Sequence, residues 1–141
     1  MIPTVIFDID GTLASCDHRL HLLPDYDAFY ELMLDDPPIR PIVDMARAML
    51  RDHGLIFCTG RPERHRAKTE AWLARHWLPT TPLYMRRDDD HRDDHVIKRE
   101  MLEVIRSFPA DIRFVVEDRA SVVKMWREEG LLCLQCAEGN F

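Results

Sequence analysis

Two carboxylates stand two residues apart in Val5-Ile6-Phe7-Asp8-Ile9-Asp10-Gly11-Thr12-Leu13, where an apolar run of strand type stops, a glycine permits a tight turn and a hydroxyl follows. Side-chain alternation on an ideal strand would put Asp8 and Asp10 on the same side. Ionised close together, each would raise the other's pKa, and a divalent cation would relieve that repulsion. A strand closing in an ordinary Asp-Gly turn would read the same on this stretch alone. Two further apolar runs end in groups of the same kind: Leu55-Ile56-Phe57-Cys58 leads into Thr59-Gly60-Arg61, and Ile112 to Val116 leads into Glu117-Asp118-Arg119. Lys98 lies near the start of a helical segment. Carboxylates hold a hard cation, while a threonine and a lysine neutralise and orient phosphate oxygens, so the set suits magnesium-assisted phosphoryl transfer.

These groups can meet only if the elements that carry them run the same way. The expected order is strand and helix in alternation, which predicts an α/β domain with a parallel sheet. After the first strand, Ala14 to Arg40 forms a small flap, with Tyr26, Phe29, Tyr30 and Met33 at helical spacing and Pro37-Pro38 as its end. Pro41 opens an amphipathic helix through Ile42, Met45, Ala46, Met49 and Leu50, closed by Gly54. A helix over Glu63–Leu78 is expected to turn Ala67, Ala71, Ala74 and Leu78 to one side, with Trp72 beside them. Leu83-Tyr84-Met85 is a third strand, and the charged run from Arg86 to His95 is a solvated loop. A helix from Ile97 to Phe108, with Lys98 in its first turn, a helix around Val122, Val123 and Trp126, and a strand over Leu131–Cys136 complete the chain. Such a sheet collects ligands beyond the carboxyl ends of its strands.

The 141 residues, 46% of them hydrophobic, are expected to make one domain over 1–141, with the flap at about 14–40. A formal charge of −6 does not suit a protein that grips a long nucleic-acid backbone, so any such contact is local. No run of about 18 apolar residues and no leader pattern is present, which predicts a cytoplasmic protein without a membrane partner. Cys58 and Cys133 lie in strand-like runs, and Cys133-Leu-Gln-Cys136 has no second pair, so ordinary packing is expected over a disulfide framework or a zinc site.

The order of motifs resembles the haloacid dehalogenase (HAD) superfamily: Asp8-Ile9-Asp10-Gly11-Thr12 as its first motif, Thr59 as its second, Lys98 as its third and Glu117-Asp118 as its fourth. More narrowly, the chain is similar to the 3′-phosphatase domain of bacteriophage polynucleotide kinase/phosphatase. That likeness rests on Asp-Gly-Thr-Leu-Ala, Thr-Gly-Arg, Arg92-Asp93-Asp94 to Lys98, and Glu117-Asp118-Arg119 followed by Val122 to Arg127, and it runs to Gly139-Asn140-Phe141. The resemblance implies a Rossmann-like HAD fold, a mostly parallel sheet flanked by helices with a small cap. It implies Asp8 as nucleophile of an aspartyl-phosphate and Asp10 as acid and then base, its pKa raised by burial and neighbouring negative charge. It places Mg2+ on Asp8, the main-chain carbonyl of Asp10, and Asp118, with Glu117 beside them, and the phosphoryl group on Thr59 and Lys98. Arg19, Arg61, Asp94 and Arg119 are the implied substrate contacts.

One departure is Glu117, where relatives carry aspartate; its length alters either the metal surroundings or the contact with Lys98. No G-x-x-x-x-G-K-[ST] loop occurs, so the chain is expected to remove phosphate and not to add it, with no kinase domain. The expected substrate is a 3′-phosphate on a nucleotide or polynucleotide end, with Arg92 as a further local contact. Alternatives are a phosphatase of free mononucleotides or another small phosphorylated metabolite, with Tyr26, Phe29 or Tyr30 stacking on a base, and a silent metal-dependent binding module. His91 and His95 are expected to face solvent.

Overall fold

A computed structural model describes residues 1–141. Its centre is a five-stranded, wholly parallel sheet in the order β3-β2-β1-β4-β5. The strands are β1 (Pro3–Phe7), β2 (Gly54–Pro62), β3 (Leu83–Arg86), β4 (Asp111–Glu117) and β5 (Cys133–Gln135). Helix α1 (Tyr26–Glu31) belongs to the cap, α2 (Arg40–Met49) and α3 (Arg66–Arg75) precede and follow β2, and α4 (Asp94–Arg106) and α5 (Ala120–Glu128) flank β4. Alternation along the strands divides the core. Val5, Phe7, Leu55 and Phe57 pack with Val43 and Ala46 of α2 and Trp72 and Leu73 of α3. Ile6, Ile56 and Cys58 face the other way, onto Ile97, Met101, Leu102 and Ile105 of α4 and Val122, Val123 and Trp126 of α5. The strands are therefore covered on both faces, as a parallel sheet requires.

The register fixes where chemistry can happen. Phe7 pairs with Phe57 on one side and Val116 on the other, so Asp8, Thr59 and Glu117 emerge at one end of three adjacent strands. β1 is also the strand from which the sheet grows in both directions, the switch point at which such folds bind ligands.

The cap is built of short 3-10 turns (Asp17–Leu22 and Met33–Asp35) around α1, and Arg40, expected in the flap, already starts α2. Its own small core is Phe29, Tyr30 and Met33. Ala14 bridges to Pro38, Ser15 N–H donates to Pro37 O at 2.9 Å, and Ile39 N–H donates to Leu13 O at 2.7 Å, so the two ends of the cap are joined at its base.

Several local expectations are corrected. Gly54 starts β2 instead of closing α2; a Cβ there would meet Thr4 Oγ1 at 3.2 Å, so tight strand packing explains the glycine. β2 continues through Thr59-Gly60-Arg61 to Pro62, carrying those residues on the strand itself. The helix expected from Glu63 begins with a 3-10 turn, runs as α3 only to Arg75, and turns Ala67, Ala71 and Ala74 outward while Thr69, Trp72 and Leu73 face the core. Alanines carry too little apolar area to set the buried face when a tryptophan and a leucine compete. α4 starts at Asp94, which places Lys98 one turn in and directly over Asp94. The cysteines are all free, with Cys58 and Cys133 buried.

Candidate active site

Beyond Phe7 the chain leaves β1 and turns at Gly11, whose φ of +83° favours glycine. A Cβ on Gly11 would lie 2.2 Å from Asp118 Oδ2, so the missing side chain also makes room for that carboxylate. Asp8 is 5% exposed. Lys98 Nζ donates to Asp8 Oδ1 at 2.7 Å and to Glu117 Oε2 at 2.9 Å. Thr12 Oγ1 lies 3.0 Å from Asp8 Oδ2 and 3.3 Å from Asp118 Oδ1, tying the ends of β1 and β4 together. One oxygen from each of Asp8, Glu117 and Asp118 lies within 4.8 Å of the others.

Three buried carboxylates around a single ammonium leave an excess of negative charge. Burial and the neighbouring Asp8 push Asp118 up to about 7, and the same two causes push Glu117 well above the usual range. Burial opposes the charge on Lys98, but Asp8 and Glu117 outweigh it and hold its pKa above the ordinary lysine value. All the donors are hard oxygens, and the repulsion is of the kind a divalent cation removes, so these residues fit Mg2+. Glu117 has a second occupation: Oε2 accepts from Lys98, and Oε1 accepts from the backbone N–H groups of Asp118 at 3.2 Å and Arg119 at 3.4 Å. Its extra methylene reaches the lysine.

Asp10 lies in different surroundings. Arg61 grips it with a fork, Nε to Oδ2 at 3.0 Å and Nη2 to Oδ1 at 2.6 Å, and Arg19 Nη2 adds a bond to Oδ1 at 2.7 Å. Both arginines are fully buried, while the Asp10 side chain remains 25% exposed. Burial works against the charge on Asp10, but the Arg61 and Arg19 guanidiniums prevail and hold its pKa below the usual carboxylate range. The expected upward shift is therefore corrected. So is the expected repulsion between Asp8 and Asp10: Asp8 perturbs Glu117 and Asp118, while Asp10 is neutralised by Arg61 of β2 and Arg19 of the cap.

Thr59 is buried on β2, its hydroxyl accepting the Arg61 N–H at 3.2 Å. Asp94 does not cap α4; its side chain pairs with Arg86 and accepts from Arg119 Nη1 at 2.7 Å. A Cβ on Gly60 would meet Asp94 Oδ1 at 2.6 Å, which brings Asp94 against the second motif. Arg119 also donates through Nε to Phe141 O at 2.9 Å, with the Phe141 ring 4.7 Å from its guanidinium carbon. Arg92 is committed to Asp90 and Glu100 on the outer surface; His91 is exposed and His95 half-buried. Sequence reasoning missed Asp36, buried and bonded to both Arg19 and Arg61, and Arg86, the partner of Asp94. Asp36 carried one faint signal, an acid directly ahead of the Pro37-Pro38 stop, which composition reads as an ordinary turn.

Comparison with known proteins agrees with this geometry. The family model for the polynucleotide kinase PNKP phosphatase domain, of HAD type, matches residues 3–141. A chain of the Pnkp1/Rnl/Hen1 complex is 30% identical with a TM-score of 0.87, covering 100% of this chain and 48% of that one. A chain of the Pnkp1/Rnl/Hen1 RNA repair complex is 29% identical with the same TM-score, over 100% and 44%. This chain thus spans about half the length of those relatives. The class C acid phosphatase from Bacillus anthracis, with tungstate bound, shares the fold at TM-score 0.71 and 14% identity, over 86% of this chain and 53% of its own. Asp8 after β1, Lys98 on α4 and Asp118 after β4 lie at one end of the sheet, and with the match over residues 3–141 the chain belongs to the HAD-type phosphatase domains of polynucleotide kinase PNKP.

Proposed function

We propose that the domain is an Mg2+-dependent phosphomonoesterase that removes 3′-phosphates from nucleotides or polynucleotide ends through an aspartyl-phosphate on Asp8. The observation that carries this reading is the setting of Asp8, buried at the end of β1, with one oxygen on Lys98 and the other beside Thr12. Asp8 is held at a fixed angle there by bonds to both of its oxygens, as a nucleophile requires.

In the first half-reaction an Asp8 oxygen attacks phosphorus, the bond from phosphorus to the 3′ oxygen breaks, and Asp10 gives that oxygen a proton. In the second, water attacks phosphorus, Asp10 takes the proton, and the bond to Asp8 breaks to release phosphate. The resting pairing of Asp10 with Arg19 and Arg61 favours its anionic form, so the proton it gives in the first half-reaction arrives with the substrate as the phosphate monoanion, and the anion left behind is ready for the second. Lys98 and Thr59 hold the phosphoryl oxygens, and Lys98 keeps its place through Glu117. Asp8, Asp118 and the Asp10 carbonyl would hold Mg2+, which supplies charge neutralisation to the transferring phosphoryl group. Arg19 and Arg61 would reach substrate through the guanidiniums that now hold Asp10. Asp94 and Arg119, on the far side of Gly60, would meet the sugar or the chain beyond it.

The preference for a 3′ end is supported by the PNKP-type match, and action in end repair by the relatives' membership of the Pnkp1/Rnl/Hen1 RNA repair complex. No helix is long and apolar enough to cross a membrane, and the free thiols suit the cytoplasm.

The test is phosphate release with Mg2+ from two matched oligonucleotides, one 3′-phosphorylated and one 5′-phosphorylated. Selective release at the 3′ end is expected, with Asp8→Asn folded but slower by about 10^4-fold or more. Release from free mononucleotides alone would move the reading to nucleotide turnover, and release from none of these would leave a binding module.

A further inference from the structure

Asp36 stands outside every motif, yet it is the most heavily bonded carboxylate near the site. Its side chain has no exposure. Oδ1 accepts from Arg19 Nε at 2.8 Å and faces His18 Nε2 at 2.7 Å; Oδ2 accepts from Arg19 Nη2 at 2.7 Å and Arg61 Nη2 at 3.3 Å. The same two Nη2 groups hold Asp10 Oδ1, at 2.7 Å from Arg19 and 2.6 Å from Arg61. Two carboxylates and two guanidiniums thus close a ring whose far corner is Asp36. That corner is anchored: its carbonyl accepts from the fully buried Trp72 Nε1 at 2.9 Å, and its N–H donates to Met33 O at 3.1 Å.

Each arginine has further partners of its own, Arg19 the Phe29 carbonyl and Arg61 the Thr69 hydroxyl, but Asp36 is the group both share besides Asp10. Buried ion networks add little net stability over apolar packing, so three buried charges and a half-buried one beside a reaction centre need another reason. Orientation supplies one, because a planar fork held on one edge by Asp36 presents its other edge to Asp10 at a set angle, which a compact ammonium cannot do.

We propose that Asp36 is a positioning residue of the reaction: from the cap, it fixes the two guanidiniums that aim the Asp10 carboxylate at the leaving oxygen. The proposal rests on the reading of Asp10 as the proton-transfer group. It makes the cap a working part of the centre, since Arg19 and Asp36 both come from it.

The test compares wild type, Asp10→Asn, Asp36→Asn and the double variant on two substrates, a 3′-nucleotide or oligonucleotide with its poor alcohol leaving group and 4-nitrophenyl phosphate with a good one. Asp10→Asn is expected to lose about 10^2-fold or more in kcat on the alcohol ester and far less on the aryl ester. Asp36→Asn should lose at least about tenfold on the alcohol ester and no more than about threefold on the aryl ester, as a misaimed acid would. Added to Asp10→Asn, Asp36→Asn should cost nothing more on the alcohol ester, because it acts through a group already gone. Equal losses on both substrates, or losses that multiply in the double variant, would overturn the role of Asp36. An Asp10→Asn variant with no leaving-group dependence would instead overturn the reading of Asp10, and the proposal with it. Should Asp36→Asn not fold, Asp36→Glu carries the same comparison, since it keeps the charge and shifts the anchor of the two forks.

Discussion

The site contains two four-membered charge clusters that differ in balance. Around Asp8, three carboxylates face one ammonium; around Asp10, two carboxylates face two guanidiniums. The first is short of positive charge, and Glu117 and Asp118 respond with raised pKa values. The second is complete, and its half-buried acid, Asp10, stays ionised. A divalent cation therefore has a reason to enter beside Asp8 and none to enter among Asp10, Arg19 and Arg61. The lysine is a compact charge that leaves space beside it, while the guanidiniums fill theirs with directed bonds.

The comparison is broken most severely at Lys98. Replacing it with methionine strands Asp8 and Glu117 in a buried site, and a loss of about 3–5 kcal/mol is expected in a denaturant melt of the metal-free protein. Added Mg2+ should recover part of that loss, because the cation then supplies the missing charge; a melt indifferent to Mg2+ would place the metal elsewhere.

The division of labour between Asp118 and Glu117 gives the next effect. Asp118→Asn should raise the Mg2+ concentration needed for half-maximal activity more than Glu117→Gln does. Removing an outer partner of a metal site typically costs about 10–100-fold in affinity, and Glu117→Gln is expected no higher than that range. Equal shifts would make Glu117 a direct ligand, in spite of its bonds to Lys98 and to the backbone.

The smallest effect is at the join between cap and α3. His65 is 8% exposed, its Nε2 is buried without a partner, and its ring lies 4.9 Å from that of Tyr30. Burial, then the nearby Arg64 and Lys68, lower its pKa, against the opposing pull of Asp27 and Glu31. The unfolded chain binds the proton more readily than the folded one. This contribution to stability is therefore complete above about pH 6.5 and is lost as the pH falls below it. A series of Tm values against pH should show that slope, and His65→Phe should flatten it. An unchanged slope would place the acid sensitivity elsewhere.

What the sequence disclosed follows the same division. Asp8, Thr59, Lys98, Glu117 and Asp118 are legible because each sits at a fixed place on a strand end or first helical turns, and parallel register carries such groups to a common edge. The strand Leu55–Cys58 was legible from its apolar run, but not its extension to Pro62, since the polar Thr59-Gly60-Arg61 breaks the pattern while the backbone stays extended. Asp36 and Arg86 were not legible as site residues: their partners are set by how a cap of short 3-10 turns folds onto α3 and by how the loop before α4 closes, and neither leaves a period in the sequence. The outward face of Ala67, Ala71 and Ala74 shows the same limit, with spacing alone naming a face and the bulk of Trp72 choosing the opposite one.

The stitching of Ala14 and Ser15 to Pro37 and Pro38 has an architectural outcome. A loop closed at its base hides its own length from the sheet beneath, and lengthening such a loop carries only a slowly growing entropic penalty. The region between those stitches is thus the natural place for the doorway of this fold to be widened, narrowed or roofed while the strands keep their register. A graft there has two fixed obligations, an arginine at the position of Arg19 and an acid at the position of Asp36, and freedom in most of what lies between.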